Sequence, residues 1–334
     1  MHDPAAADRR PFHLVETLDA IPAALTGGVV AIGNFDGVHR GHQAVLAEAL
    51  DRGQAAGRPV LAMTFEPHPR TVFRPDQPVF RLTPPGPKAR LMRALGLDGL
   101  LVVPFDRAFA SIEADAFVSD ILLGRLGITD AVVGYDFHFG RARGGSPAFL
   151  AARGARDGFS VEIVEAFADE GAEPVSSSRI RDALAAGDLG LAQGLLGYRW
   201  FVEAEVVHGE KRGRELGFPT ANMRLGPDCR LRHGIYAVTV AVGAAVHQGV
   251  ASYGRRPQFD NGAPLLETYL LDFAGDLYGR TAVVTFVSWL RPEQRFDGVE
   301  ALVAQMHRDT AEARAVLGAV GPGTALDRAL GEDP

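Results

Sequence analysis

Apolar runs and helical segments alternate through the first half of the chain. The run 28–33 is apolar and β-branched, and it leads through a Gly/Asp turn into a segment in which Val45, Leu46 and Ala49 share one helical face. Further apolar runs, separated by helix-length segments, are typical of strands and lie at 60–65, 100–103, 131–133 and 161–164. This order predicts a parallel sheet with helices on both faces, which binds ligands beyond the carboxyl ends of its strands.

The pattern changes near residue 186. Residues 200–207 alternate as a half-buried strand does, and more strand candidates follow at 235–242, 246–251, 265–273 and 281–289. One late helix carries an apolar stripe, and Asp297 and Glu300 are spaced as a capping pair for it. We therefore predict two domains: an α/β domain with a parallel sheet at 1–186, and a small antiparallel β-barrel with a terminal helix at 187–334.

The composition is that of a globular protein for which we expect neither nucleic-acid nor membrane partners. Of the 334 residues, 47% are hydrophobic, and the net charge of −7 argues against a broad nucleic-acid surface. No apolar run approaches the roughly 20 residues of a membrane span, and the N-terminus lacks a hydrophobic signal region. Lysine occurs only at Lys88 and Lys211, and the single cysteine excludes an intramolecular disulfide. We expect a cytoplasmic protein; the sequence leaves its oligomeric state open.

The most informative segment is 33–42, Gly-Asn-Phe-Asp-Gly-Val-His-Arg-Gly-His, between the first predicted strand and its helix. Free backbone N–H groups and the helix dipole form an anion site at such a position. His39 and His42, three positions apart at a helix start, point the same way and can donate to phosphate oxygens. The glycines permit a tight turn and close approach of a ligand. The plainer interpretation is a glycine turn with surface histidines.

Two further segments narrow the interpretation: Thr-Phe-Glu-Pro-His-Pro at 64–69 and Val-Gly-Tyr-Asp-Phe-His-Phe-Gly at 133–140. With the H-x-G-H signature of 33–42, they resemble the adenylyltransferase half of bacterial bifunctional riboflavin kinase/FAD synthetases. The resemblance implies that His39 and His42 are catalytic. It also implies ATP-binding residues, which are Gly33, Phe35, Asp36, Gly37 and Gly41, and flavin-binding residues, which are Glu66, Asp136 and Phe137. Taken alone, 133–140 is equally a β-turn with aromatic packing.

The segment 175–181, Val-Ser-Ser-Ser-Arg-Ile-Arg, resembles the second phosphate motif of these transferases. Serines at a helix start, with free N–H groups and an arginine one turn in, suit a triphosphate. The resemblance implies that Ser177, Ser178 and Arg181 bind ATP phosphates, and the family commonly has threonine where Ser178 stands. A plain serine N-cap explains the same pattern.

A glycine-rich segment at 209–222, which ends in Phe-Pro-Thr-Ala-Asn, resembles the riboflavin kinase motif of the same family. A loop of this kind closes over phosphates, and oxygen atoms of Thr220 and Asn222 suit Mg²⁺, a hard cation. The phosphate-binding residues that the resemblance implies are Gly209, Gly213, Gly217, Pro219 and Thr220, and the implied metal ligands are Thr220 and Asn222. Composition alone indicates a surface hairpin loop.

Glu267 interrupts an otherwise apolar predicted strand. A carboxylate directed into a barrel is costly unless it has a partner or a role, whereas the alternation of a strand also allows it to face solvent. The position corresponds to the family's catalytic glutamate, which implies a general base. The segment 249–259 matches the flavin-side loop of the family less closely: Arg256 agrees, which implies flavin binding there, but Ser252, Tyr253 and Gln258 depart from the common residues.

The resemblance covers roughly residues 28–315, with the motifs in the order of the family. It implies a Rossmann-like nucleotidyltransferase domain followed by a riboflavin kinase barrel. With ATP and Mg²⁺ the barrel converts riboflavin to FMN, and the first domain then converts FMN to FAD with release of pyrophosphate. Two alternatives remain at this stage: an FMN adenylyltransferase whose barrel only binds flavin, and a non-catalytic, flavin-responsive regulatory protein.

Overall fold

The computed structural model describes residues 10–209, 216–255, 264–321 and 323–332. Gly213 and Arg256, two of the predicted ligand-binding residues, lie outside these ranges. The chain divides into two units. One extends to Val79 and includes Pro84–Val175, and the other comprises Phe80–Thr83 and the chain from Ser176 onward. The predicted functional boundary between residues 186 and 187 stays a prediction.

The first unit contains a six-stranded sheet with the order β1-β4-β3-β2-β5-β6. All neighbouring strands run parallel. The strands are β1 (His13–Val15), β2 (Val29–Ile32), β3 (Val60–Glu66), β4 (Gly99–Pro104), β5 (Asp130–Gly134) and β6 (Ser160–Val164). Every residue of β2 is buried, as in parallel sheets that are covered on both faces. The predicted parallel sheet is confirmed.

The helices of the first unit begin and end at residues suited to those positions. α1 begins after His39 and ends at Gly57, which has φ +64°. The helices are α1 (Arg40–Ala56), α2 (Pro69–Phe73), α3 (Pro85–Ala94), α4 (Ala114–Ala116) and α5 (Pro147–Asp157). α4 continues as a π-helix at Phe117–Leu123, and short 3₁₀ turns lie at Ala23–Leu25, Phe109–Ser111 and Arg141–Arg143.

The second unit contains a closed barrel with the order β10-β11-β8-β7-β12-β9, which confirms the predicted antiparallel barrel. Its strands are β7 (Phe201–Val207), β8 (Thr220–Arg224), β9 (Gly234–Val242), β10 (Ala245–Arg255), β11 (Pro264–Leu270) and β12 (Thr281–Arg291). Along β11, Leu266, Thr268 and Leu270 are buried. Because side chains alternate between the faces of a strand, these three residues mark the packed interior.

Four helices accompany the barrel in the described part of this unit: α6 (Ser177–Ala186), α7 (Leu189–Leu196), α8 (Val299–Ala319) and α9 (Ala325–Glu332). α8 packs on the outside of the barrel, where Ala313 and Leu317 meet Ala237. The predicted capping pair of Asp297 and Glu300 is wrong. The N-cap residue is Gly298, which places Glu300 one position too early for a capping box, and no side chain caps this end.

No helix in the described ranges has the length and hydropathy needed to cross a membrane.

Candidate active sites

The first candidate site lies at the carboxyl edge of the parallel sheet, where three neighbouring strands end. β2 pairs with β3 on one side and with β5 on the other. After β2 the chain adds β3 and β4 on one side of it, and β5 and β6 then follow on the other side. The point where the strand order changes direction in this way opens a crevice that binds ligands. The segments 33–42, 64–69 and 133–140 therefore share one edge of the sheet.

His39 and His42 form a stacked pair at the start of α1. His39 is the N-cap residue, and its Nδ1 atom accepts a hydrogen bond from the backbone N–H of His42 at 3.3 Å. The two rings stack with centroids 3.6 Å apart and planes inclined by 16°. Because Nδ1 accepts, the proton of a neutral His39 lies on Nε2, the nitrogen that can donate to a ligand. His39 is only 6% exposed, so the pair is not a surface feature.

The surroundings of His42 favour its neutral form. Its Nδ1 atom is buried and has no hydrogen-bond partner among the residues that the structure describes. Burial is the largest cause that lowers the pKa of His42 well below 6.5, and the charges of His39 and Lys88 lower this pKa further. A neutral imidazole still donates one N–H, so His42 can hydrogen-bond a phosphate oxygen without carrying a charge.

The loop that leads into this pair has an unusual backbone. Phe35 and Val38 have φ angles of +46° and +38°, which residues other than glycine rarely adopt, and Gly37 has φ +89°. Phe35 is buried, and a Cβ atom at Gly33 would lie 3.2 Å from its ring. Such backbone persists only where the surrounding structure holds it, and it is common at ligand sites.

Two other predicted phosphate-binding residues, Asp36 and Gly41, lie beside the histidines in sequence. Asp36 is only 4% exposed. A Cβ atom at Gly41 would lie 3.3 Å from the ring of His39 and 3.6 Å from Phe167. A side chain at Gly41 would therefore crowd the ring of His39.

Aromatic rings connect the two predicted flavin-binding segments. The ring of Phe65, the penultimate residue of β3, lies 5.9 Å from both Phe105 and Phe109. The series continues through Phe117 and Phe139 to Phe137, whose ring stacks on that of Phe139 at 5.3 Å. Of these rings, the sequence motifs implied a ligand contact only for Phe137. Phe65 and Phe139 belong to the same motif segments but were given no role, and the remaining rings, of Phe105, Phe109 and Phe117, lie in segments that match no motif.

The polar members of the predicted flavin site differ in exposure. The side chain of Glu66 is 13% exposed and lies at the end of β3. Asp136 is exposed in the turn that follows β5. Phe73, at the end of α2, is 61% exposed and lies 6.1 Å from Phe105. An exposed phenylalanine that continues a series of packed rings is suited to contact a planar aromatic ligand.

The serine motif belongs to the second unit and starts α6. The N-cap residue is Ser176, whose side chain accepts a hydrogen bond from the backbone N–H of Arg179, so Ser177 and Ser178 occupy the first helical turn. Arg181 donates from Nε to the carbonyl of Phe80 at 2.7 Å. The plain N-cap interpretation is thus confirmed for Ser176, and the phosphate-binding roles of Ser177, Ser178 and Arg181 stay predictions.

The second candidate site lies on the outer wall of the barrel. Glu267 is directly opposite Asn222 of β8 on one side and Ser252 of β10 on the other. Residues in direct register share a face, with Cβ atoms about 5 Å apart. Since Leu266 and Thr268 fill the interior, Glu267 and its two neighbours lie on the outer face. Of the two placements that the sequence allowed, the outward one is correct, although Glu267 is half-buried.

The next row of the same wall brings the predicted metal ligands together. Thr220 lies opposite Tyr269, two residues along each strand from the Asn222–Glu267 pair and therefore on the same face. Asn222 is 5% exposed, and its Nδ2 atom donates to the carbonyl of Thr220 at 3.2 Å. With Nδ2 used in this way, Oδ1 is the amide atom suited to a cation. Three oxygen-bearing side chains, of Thr220, Asn222 and Glu267, are thus neighbours.

Gly209, the first residue of the glycine-rich segment, packs closely against this wall. A Cβ atom at Gly209 would lie 2.4 Å from Nδ2 of Asn222, so a larger residue there would displace the Asn222 amide. Gly217 has φ +84°, which also favours glycine. Pro219 is exposed, immediately before Thr220. The plainer expectation of a surface hairpin loop is wrong for Thr220 and Asn222, because both belong to β8.

A cluster of rings holds the start of β8. Phe218 is buried, and its ring meets Tyr269 of β11 at 5.1 Å and His307 of α8 at 5.0 Å, both edge to face. α8 is itself fixed to the barrel by Arg291, which donates to both carboxylate oxygens of Asp309 at 2.7 and 2.6 Å. The helix therefore supports the strand that carries Thr220 and Asn222.

Comparisons with known proteins assign a different family model to each of the two parts of the chain that hold a candidate site. A family model described as FAD synthetase matches residues 21–179, and one described as riboflavin kinase matches residues 196–317. A bifunctional riboflavin kinase/FMN adenylyltransferase of Escherichia coli K12 is 41% identical over 89% of this chain and 95% of its own length. A protein of the same name from Pseudomonas fluorescens is 42% identical over 91% and 98%, respectively.

A solved structure also resembles the whole chain. It is described as a macrolide-efflux protein from Streptococcus pneumoniae, is 29% identical, and gives a TM-score of 0.79 over 91% of this chain and 98% of that one. The fold and the matched sequences define a two-domain flavin nucleotide transferase. The chain belongs to the family of bifunctional riboflavin kinase/FMN adenylyltransferases.

Proposed function

We propose that this chain phosphorylates riboflavin to FMN on the barrel wall and then adenylylates FMN to FAD at the edge of the parallel sheet. ATP is the co-substrate of both steps, and ADP and pyrophosphate are the respective by-products. The observation that carries the proposal is that the range matched by each family model contains a cluster of that family's motif residues. His39 and His42 form the cluster in one unit. Thr220, Asn222 and Glu267 form the cluster in the other.

In the adenylyl transfer, the nucleophile is a phosphate oxygen of FMN, which is already anionic and needs no strong base. This oxygen attacks the α-phosphorus of ATP, and the bond to the departing pyrophosphate breaks. His39 and His42 donate hydrogen bonds to phosphate oxygens, and the first backbone N–H groups of α1 add a partial positive charge. The chain contributes mainly position and charge neutralisation, as is usual in phosphoryl transfer.

At the flavin side of this edge, Glu66, Asp136 and Phe137 contact FMN. The series of rings from Phe65 to Phe137 supports an apolar wall for the flavin. The role of Ser177, Ser178 and Arg181 in binding ATP phosphates stays a prediction from the motif.

In the kinase step, the nucleophile is the neutral 5′-hydroxyl of riboflavin, so a base is useful. Glu267 accepts the hydroxyl proton as the oxygen attacks the γ-phosphorus of ATP, and ADP leaves. The half-buried position of Glu267 beside Asn222 supports this role. The reaction proposed at the sheet edge, beside His39 and His42, requires no such base.

The donor set on the barrel wall fits Mg²⁺. The side-chain oxygens of Thr220 and Asn222 would hold the ion, since oxygen ligands are those that Mg²⁺ prefers. When bound, the ion neutralises charge on the ATP phosphates.

Consumption of ATP in both steps supports the cytoplasm as the compartment of this protein.

Incubation of purified protein with riboflavin, ATP and Mg²⁺, followed by separation of the flavins over time, tests the proposal. We expect FMN first and FAD later, with pyrophosphate formed in step with FAD. If supplied FMN gave FAD but riboflavin gave no FMN, the protein would be an adenylyltransferase with an inactive barrel. Ser252 lies directly opposite Glu267, at a position where the family commonly has asparagine. Because of this difference, kinase activity has to be tested separately from adenylylation. If neither product formed, the catalytic proposal would be wrong.

A further inference from the structure

Lys88 is a buried lysine at the sheet edge that no motif includes. It lies on α3 and is 2% exposed. Its Nζ atom donates to the carbonyl oxygen of Asn34 at 2.9 Å and to Oγ1 of Thr64 at 3.1 Å. The carboxylate of Glu66 lies 3.7 Å away. The ammonium group therefore contacts the ends of β2 and β3, two of the three strand ends that carry the motifs of this edge.

These contacts form a closed network. Thr64 donates its hydroxyl proton to the same Asn34 carbonyl at 2.8 Å, so this oxygen accepts from both Thr64 and Lys88. Asn34 immediately precedes Phe35, the first residue of the loop with a positive φ angle. α3, the end of β3 and the loop after β2 are thus joined at one point, next to the segment that ends at His39.

Burial of an ammonium group is costly, and replacement of buried ions by apolar residues is often neutral or stabilising. The charge of Lys88 also reaches the catalytic pair, because it is one of the causes that lower the pKa of His42. The position of this charge, at an edge built for anionic phosphates, points to a role in the reaction.

Arg153 of α5 is a second buried cation of the same unit, and its contacts are those of a structural ion pair. It is 5% exposed, and its guanidinium group pairs with Asp115 at 2.6 Å and with Asp157 at 2.7 Å. Two of the hydrogen bonds of Lys88 go instead to neutral oxygens of the phosphate-binding loop and of β3. Arg153 is therefore a matched control.

We propose that Lys88 is a positioning residue for adenylyl transfer, which fixes the Asn34 carbonyl, and with it the loop before His39 and His42, and orients the Glu66 carboxylate toward the flavin. The inference rests on the proposed function of this sheet edge. Lys88 acts through the loop and Glu66, and it is not itself assigned a contact with substrate.

The test compares Lys88→Met with Arg153→Met in the full-length protein, with two activities measured on each sample. We expect Lys88→Met to lower kcat for FAD formation from FMN by about 10- to 100-fold, the cost of a small misplacement of catalytic groups. Riboflavin phosphorylation by the same sample should stay within about twofold of the unmodified protein, which reports that the barrel unit is folded. Arg153→Met should leave both kcat values within about twofold in the folded protein.

Two further variants separate positioning from a general loss of structure. Lys88→Arg keeps the charge, but a planar guanidinium does not reproduce the contacts of a compact ammonium, so we expect only partial recovery of kcat. Thr64→Val removes the hydroxyl at nearly constant size and should lower kcat for FAD formation to an intermediate value. If Lys88→Met does not fold, Thr64→Val decides, and normal FAD formation in it would overturn the proposal.

A readout specific to the site is the NMR titration of the His42 imidazole. In Lys88→Met the pKa of His42 should rise toward 6.5 yet stay below it, because burial and His39 still lower it. Normal kcat in Lys88→Met, or an equal loss in Arg153→Met, would contradict the inference. Failure of the unmodified protein to form FAD from FMN would instead contradict the proposed function.

Discussion

The two candidate sites are built in different ways. At the edge of the parallel sheet, the candidate groups come from loops that follow strands and from the N-terminus of α1. On the barrel, Thr220, Asn222 and Glu267 belong to the strands themselves, and their strand register brings them together. The sheet-edge site therefore depends on a strained, tightly packed loop, whereas the barrel site depends on the register of neighbouring strands.

The difference matches the chemistry proposed for each site. An anionic nucleophile needs donors around the phosphates, and backbone N–H groups with two imidazoles supply them. A neutral alcohol needs a base at a fixed position, and the carboxylate of Glu267 on a strand of the barrel would supply one. Variants that impair one site and spare the other are thus the sharpest tests of the comparison.

The largest effect is expected from Glu267→Gln. Loss of the general base should slow FMN formation by about 100- to 10,000-fold, while FAD formation from supplied FMN stays unchanged. Product analysis with riboflavin and with FMN as separate substrates measures this. Glu205→Gln, an exposed carboxylate on β7 of the same barrel, is the matched control and should affect neither step. A parallel loss of both activities in Glu267→Gln would contradict the division of labour.

His42→Ala should give the opposite result. Removal of one donor to the phosphates is expected to lower the rate of FAD formation by about 100-fold, so that FMN accumulates from riboflavin. The measurement is the time course of both flavins. His247→Ala, whose ring packs on Phe273 in the barrel unit, provides the control. An unchanged rate of FAD synthesis in His42→Ala would remove this residue from the site.

A smaller effect is expected from Phe218→Leu, which removes the edge-to-face contacts with Tyr269 and His307. Each contact of this type contributes about 0.5–1.5 kcal/mol, so the start of β8 loosens. We expect kcat/KM for riboflavin to fall by about fivefold, with adenylylation of FMN unaffected. Phe273→Leu is the control on the same barrel. Equal effects of the two substitutions would show that the ring cluster has no special relation to the kinase site.

The smallest effect concerns pH. Because burial, His39 and Lys88 lower the pKa of His42 well below 6.5, its ring stays neutral at pH 6.5, where an ordinary histidine is half protonated. NMR titration of the ring protons, assigned by comparison with His42→Gln, measures this directly. A midpoint at or above 6.5 in the folded protein would show that the ring is not buried as described.

Most strands could be predicted from hydrophobic pattern, but two could not. β1 has only three residues, of which Val15 alone is buried, too few for a period to be visible. β8 contains Ala221 and Asn222, residues with low strand propensity, and follows a proline. Its motif indicated a loop. As a result, the direct opposition of Asn222 and Glu267 was visible only in the register of the barrel.

The sequence also left the face of Glu267 open, because Leu265 makes the outer side of β11 apolar as well, and this obscures the alternation. Burial of Lys88 could not be predicted, since it depends on contact with Asn34, which lies 54 positions earlier. The one sequence signal was the rarity of lysine in a chain whose basic residues are nearly all arginine. Local patterns thus predicted elements and motifs, while contacts between distant segments required the structure.

The most direct test of two separate sites is a mixture of two variants, Glu267→Gln and His42→Ala, supplied with riboflavin, ATP and Mg²⁺. Alone, Glu267→Gln should form almost no flavin nucleotide from riboflavin, and His42→Ala should form FMN with little FAD. We expect the mixture to form FAD, because FMN released by one variant is adenylylated by the other. A mixture that forms no more FAD than the separate variants would contradict the assignment of the two steps to separate sites.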